Sequence, residues 1–205
     1  TYSGNGNGNN LLLESGTLSQ SRTLKEADAP YQATSSITIA GTSTIPAVLT
    51  IEPGTEIRFG SNLGLYIGSG TNLGALVAQG TPSLPILFTS TSTSTYWRGI
   101  YFDNATVDAT SIMEHSIVEY GGYSSTANVT LVSSNPTVRN STLRNSMYYG
   151  LKLTNAVPLV EMNTIQNNTQ AAAFLDLLSI GATFTGNTYS GNGNGNNLLL
   201  ESGTL

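Results

Sequence analysis

The side chains that could do chemistry are few, and they recur in columns. Glu114, Arg139 and Glu161 follow one another at offsets of 25 and 22, and Glu119, Arg144 and Gln166 repeat those offsets a short way further on. A pair of carboxylates can act as acid and base on a glycosidic bond, and gathered carboxylates can hold calcium. An arginine between the acids argues for something else, a ladder of outward side chains alternating in sign, each with a partner ~5 Å above and below. A calcium site would collect carboxylates without interleaved guanidinium groups. His115 is the only histidine; on an alternating strand it would face away from Glu114, so no dyad is expected. With no cysteine there is no thiol nucleophile, disulfide or thiolate zinc site. No catalytic residue, metal or cofactor is assigned, and the chain is not expected to be an enzyme.

Binding candidates are weaker. Trp97 and Tyr96 could stack on a sugar ring. Tyr120 and Tyr148, with Tyr123 and Tyr149, fall near turns of neighbouring coils and could form a second aromatic strip for glycans. Asn104, Asn128, Asn140 and Asn167 each begin an Asn-x-Ser/Thr triplet and are candidate glycosylation sites. Thr89–Thr95 alternates Thr and Ser along one segment rather than from coil to coil, which does not build an ice-binding face. Gly4–Gly8 and its copy Gly191–Gly195 lack the Lys-Ser/Thr of a phosphate loop and read as tight turns.

The elements that carry these columns are short strands. Ser111–Gly121 stacks over Pro136–Ser146, Pro158–Asn168 and Ala182–Asn192, a period of roughly 24 residues. One apolar column is Met113, Val138, Val160 and Phe184, and another is Val118, Leu143, Ile165 and Tyr189. Between them runs a polar column of Ser116, Ser141, Asn163 and Asn187. A third element is expected at Val129–Leu131, Leu151–Leu153 and Leu175–Leu177. The fold class this implies is all-β, a parallel β-solenoid in which like side chains sit over like at strand spacing, ~4.8 Å. Helical repeats are disfavoured by the density of Thr, Asn and Gly. Residues 18–35 carry four of the nineteen charges and read as a turn or short helix decorating one coil.

A longer repeat encloses the shorter one. Residues 1–18 and 188–205 are identical at every position, so the offset is 188 − 1 = 187. The reading is a window on a tandem array, with 1–18 the end of one repeat, 19–187 its solenoid body, and 188–205 the overlap with the next. At about 24 residues per coil, each repeat should hold about eight coils. The identical ends should then adopt the same conformation.

The segments LTIEPGTEIRFG (49–60), LVAQGTPSLPILFTS (76–90), TYWRGIYF (95–102) and HSIVEYGG (115–122) resemble the right-handed parallel β-helix repeat domains of bacterial surface and secreted proteins, over roughly residues 36–192. The resemblance implies a right-handed β-helix and an extracellular or cell-surface setting, and it implies that Trp97 opens a strand, with packing at the coil edge its simpler role. It says little of function, because that fold carries lyases, hydrolases, adhesins and structural shafts alike.

Composition narrows the partners. The 205 residues carry only 9% charged side chains, with 7 Lys+Arg against 12 Asp+Glu and a net charge of −5. That balance lacks the basic footprint of a nucleic-acid binder, and no apolar run approaches the ~18–20 residues that cross a bilayer. The expected partners are adjacent identical repeats or subunits meeting end to end, with glycans as a further candidate. The expected function is a structural tandem-repeat protein of an extracellular filament, stalk or sheath-like fibre. An adhesin or carbohydrate-binding shaft is the alternative, and a polysaccharide lyase or hydrolase a more distant one.

Overall fold

The computed structural model describes residues 9–14 and 16–201. The turn reading of Gly4–Gly8, residues 1–8 of the leading repeat and 202–205 of its copy lie outside the described residues. Short strands form three parallel sheets, and the chain visits them in strict rotation. The first sheet contains Leu11–Leu13, Tyr31–Ala33, Glu56–Phe59, Ile86–Ser90, Ser116–Glu119, Thr142–Arg144, Thr164–Gln166 and Thr188–Ser190. The second contains Gly16–Leu18, Ile37–Ile39, Gly64–Ile67, Gly99–Phe102, Ala127–Val132, Tyr149–Thr154, Ala173–Leu175 and Leu198–Leu200. The third runs from Arg22–Leu24 through Ala47–Ile51, Gly74–Gln79, Ile112–Glu114, Thr137–Arg139 and Leu159–Glu161 to Thr183–Thr185. The described residues thus wind seven complete coils of a β-solenoid and the first two strands of another.

The register places like over like. Met113 pairs with Val138, Val138 with Val160 and Val160 with Phe184. Val118, Leu143, Ile165 and Tyr189 form a second inner column, which continues back through Phe88 and Ile57 to Tyr31. These columns face one continuous interior, with Phe59, Phe88, Phe102, Ile67 and Leu76 fully buried there. Each such side chain contributes about 1.5–3 kcal/mol relative to exposure.

Single residues in the left-handed region make the tight corners. His115, Asn140 and Met162 turn the chain from the third sheet to the first with φ of 45°, 50° and 54°, and Gly186 repeats the corner at 62°. Tyr120, Asn145, Asn167 and Gly191 do the same at the exit of the first sheet, with φ between 54° and 64°. Coil-to-coil hydrogen bonding runs on through these corners: the Asn140 N–H donates to Glu161 O at 3.1 Å and the Asn167 N–H to Ser190 O at 3.0 Å.

Four expectations need correction. Residues 18–35 form no helix; Arg22–Leu24 and Tyr31–Ala33 are strands, because each finds a parallel neighbour, and that pairing outweighs the local charge. The third element slips in its last member: Leu153 lies over Leu175, Ala173 takes the place under Leu151, and Leu177 begins a 3-10 turn, Leu177–Ser179. His115 is a corner residue rather than a strand residue, so alternation does not set where it points. Finally, the two leucine triplets are not equivalent. Leu11–Leu13 pairs with Tyr31–Ala33 in the first sheet, whereas Leu198–Leu200 pairs with Ala173–Leu175 in the second. Three identical leucines carry no facing signal of their own, and an end strand has one neighbour to fix it.

Candidate functional site

The polar chemistry lies in two places, the outer surface and the inner corners. On the outside, Arg139 stands between Glu114 and Glu161. Its Nη2 donates to Glu114 Oε2 at 3.0 Å, and Nη1 lies 4.0 Å from Glu161 Oε1. The Nε–Oε1 approach to Glu114 is 2.9 Å, but it does not lie along the N–H direction, so it is an ion-pair contact and not a hydrogen bond. Gln79 and Asn140 also donate to Glu114, at 3.2 and 3.3 Å. The Arg139 hydrogen bond holds the Glu114 carboxyl below the usual carboxylate range; partial burial opposes that shift, and Gln79 and Asn140 reinforce it.

The second ladder is more enclosed. Arg144 Nε donates to Glu119 Oε2 at 2.7 Å, and Thr89 Oγ1 donates to Glu119 Oε1 at 3.0 Å. Glu119 is buried, and Gln166 follows Arg144 in register. In both ladders the acids are bound to guanidinium groups across coils. Among the described residues no three His, Asp or Glu side chains come together in a way that could hold a metal ion.

The aromatic candidates divide. Trp97 is fully buried; it stacks on Phe59 with ring centroids 4.4 Å apart, and its Nε1 donates to Glu119 O at 2.8 Å. Trp97 is therefore corrected from a candidate glycan contact to a core residue, since neither ring face is open. Tyr96 and Tyr120 are half-buried, the first beside Trp97 in sequence and the second at a corner. Tyr148 meets the buried Tyr149 edge-on at 4.6 Å, and Tyr149 stacks on Phe174 at 5.1 Å. Lys152 Nζ lies 5.6 Å from the Phe174 ring centre.

Two features are not anticipated by the sequence columns. Tyr66 and Tyr101 pair in register on the outside of the second sheet, 5.9 Å apart; their signal is the shared apolar-Tyr-apolar triplet in Leu65–Ile67 and Ile100–Phe102. The second is another internal polar ladder, parallel to the one through Ser116, Ser141, Asn163 and Asn187. Here Asn168 Oδ1 accepts from the Ser146 N–H at 2.9 Å, Asn192 Oδ1 from the Asn168 N–H at 3.1 Å, and Asn196 Oδ1 from the Asn192 N–H at 3.3 Å. Asn163, Asn168, Asn187 and Asn192 also return an amide N–H to a carbonyl of the preceding coil, as Asn163 does to Val138 O at 2.9 Å and Asn187 to Val160 O at 2.8 Å. The corners' unpaired backbone groups are thereby satisfied inside the core.

Of the four glycosylation candidates, Asn104, Asn140 and Asn167 are exposed. Asn128 is fully buried, accepts from the Gly121 N–H at 2.8 Å and donates to Arg144 O at 2.9 Å. It is corrected to a structural residue, because no glycan could be accommodated there in the folded chain. Among the described residues no helix is long and apolar enough to cross a membrane.

A family model described as a right handed beta helix region matches residues 37–204. No curated protein and no solved structure matches the chain.

Proposed function

The chain belongs to the right-handed β-helix family, and on that premise we propose that it is one unit of a structural tandem-repeat protein, building an extracellular or cell-surface fibre, stalk or sheath-like filament. The observation that carries this reading is the letter-for-letter recurrence of residues 1–18 as 188–205. Among the described residues Leu11–Leu13, Gly16–Leu18 and Arg22–Leu24 have one paired neighbour each, as do Thr183–Thr185, Thr188–Ser190 and Leu198–Leu200. In an array the last strands of one copy would stand beside the first strands of the next, and a head-to-tail contact that does not close generates a filament. The partner is then an adjacent identical repeat.

The bound state of the acids supports a shaft over an enzyme. Glu114 and Glu119 are each hydrogen-bonded by an arginine of the following coil, Arg139 and Arg144. Electron microscopy of the native material tests the reading: rods with a regular axial repeat are expected, and globular particles without rods would overturn it.

A second reading, a glycan-binding shaft, is favoured by the half-buried Tyr66–Tyr101 row on the outside of the second sheet. Binding to a glycan array that disappears in Tyr66→Ala and Tyr101→Ala would support it; equal binding by both variants would exclude that row.

A further inference from the structure

The leucine triplet lies on different sheets at the two ends of the same chain, and at both it is an end strand: Leu13 packs on the core at one, whereas Leu198, Leu199 and Leu200 are exposed at the other. Where Gly16–Leu18 occupies the second sheet, Gly16 stands in register with Ile37 and Leu18 with Ile39. A Cβ built on Gly16 would meet nothing within 4 Å. The space beside it, about 310 Å³ at the uncovered end of the described coils, is lined by Leu13, Gly16, Leu18, Ile37, Leu49 and Phe59 among others. At the other end Leu198 and Leu200 stand over Ala173 and Leu175, the inner columns of that same sheet, with Leu199 outside over Phe174.

Coil length separates the placements further. Along the inner column of the first sheet, the step from Leu11 to its partner Tyr31 is 31 − 11 = 20. Every other step is longer, from 165 − 143 = 22 between Leu143 and Ile165 to 88 − 57 = 31 between Ile57 and Phe88. In a tandem array, Tyr31 of the next copy lies at 31 + 187 = 218 in continuous count, and its step from Tyr189 is 218 − 189 = 29. That step falls inside the range this solenoid already uses, whereas the step from Leu11 falls below it.

We infer that at every junction of the array the triplet sits in the second sheet, as Leu198–Leu200 does, between Ala173–Leu175 and the next copy's Ile37–Ile39, with Gly16–Leu18 moved out of that sheet into the connection. This inference rests on the tandem-array reading and adds its joint. The junction is a single coil. Thr188–Ser190 supplies its first sheet, extending the column of Tyr189 to the next Tyr31. The triplet supplies its second sheet and puts a leucine where Gly16 leaves space, so that end is covered. The next copy's Arg22–Leu24 supplies its third sheet, with Leu24 continuing the column that holds Phe184, since Leu24 pairs with Ile51 and Ile51 with Ala78, which pairs with Met113. Each repeat then contains seven coils, one for each of Tyr31, Ile57, Phe88, Val118, Leu143, Ile165 and Tyr189, and rises about 34 Å at ~4.8 Å per coil.

Cysteine trapping in a chain of two consecutive copies tests this, and the protein's lack of cysteine makes each introduced pair unique. Leu199→Cys at the junction is combined either with Thr38→Cys or with Gln32→Cys in the second copy. Thr38 is the outward neighbour in the second sheet, and Gln32 is the residue that Leu12 faces in the first. All three positions lie outside the interior, and neighbouring parallel strands bring Cα atoms within disulfide range. Cross-linking at least tenfold faster with Thr38→Cys than with Gln32→Cys is expected. Preference for Gln32→Cys, equal rates or no cross-link with Thr38→Cys would overturn the joint. None of these outcomes bears on whether cells build fibres, which the microscopy decides.

Discussion

Asn192 takes two hydrogen bonds from Asn168 on a single oxygen: its Oδ1 accepts the Asn168 backbone N–H at 3.1 Å and the Asn168 side-chain amide at 2.9 Å. Asn163 and Asn187 repeat the arrangement at the opposite corner of the first sheet, at 2.9 and 3.1 Å. Asn168 and Asn163 are both buried, so each lost partner leaves a polar group without water to replace it.

Asn168→Ala should therefore cost roughly 2–4 kcal/mol, by stranding the Ser146 N–H and removing the side-chain donor to Leu143 O, while Asn192 Oδ1 keeps the bond from the backbone N–H. Asn168→Asp should lose as much, because a carboxylate cannot donate to those two oxygens. Urea unfolding monitored by circular dichroism measures both. Asn104→Ala, on an exposed turn, should stay within about 0.5 kcal/mol of the parent.

Trp97→Ala should destabilise by about 3–5 kcal/mol, since it opens a cavity against Phe59. Trp97→Phe keeps a ring in the stack but strands the Glu119 carbonyl, and should cost about 1–2 kcal/mol. Chemical denaturation of the two variants checks the order. A surface tryptophan serving sugar binding would change stability in neither.

Acid should weaken the fold through Glu114. Its folded pKa is depressed, first by the Arg139 hydrogen bond. Its stabilising contribution is thus fully present above the unfolded carboxyl value of ~4.3 and is lost as pH falls through the lower folded value. Between neutral pH and pH ~3 the parent should lose more stability than Glu114→Gln, read as the shift in urea midpoint. Equal shifts would remove Glu114 from the acid response.

Thr130→Val should stabilise the protein by about 1 kcal/mol. The Thr130 side chain is buried, and its hydroxyl finds no hydrogen-bond partner among the described residues. Valine keeps the shape and strand preference and removes the desolvated oxygen. The melting temperature should rise accordingly.

The solenoid was legible in the sequence wherever coils are compact. From Ser111 onward the short coils keep inward residues in visible columns, and the register of Met113 with Val138 and of Val118 with Leu143 can be read by stacking. Between Ile57 and Val118 the coils are longer, with column steps of 88 − 57 = 31 and 118 − 88 = 30, and their loops hide the period. The second asparagine ladder was present in the same alignment, as Ser146, Asn168 and Asn192, but polar residues beside turns look alike until hydrogen-bond partners are known. Burial was harder still. Trp97 next to Tyr96 leaves both a packing role at the coil edge and a sugar-stacking role open, and the coil below it, with Phe59, makes it interior. The slip at Leu175–Leu177 has a similar cause, since Leu-Asp-Leu satisfies strand alternation as well as Ala-Phe-Leu does. The leucine triplets mark where sequence stops deciding: identical residues settle according to what lies beside them.

The directions of chain and hydrogen bond in this architecture have a mechanical consequence. The polypeptide circles the long axis while the bonds between strands point along it, so a pull on the two ends loads hydrogen bonds and not the covalent backbone. One coil rises ~4.8 Å when wound, yet the chain of the longest coils reaches roughly 100 Å when drawn straight. Tension would peel turns from an end one after another, each release lengthening the molecule about twentyfold locally, which makes the coil a reserve of slack that absorbs force before any bond along the chain is strained.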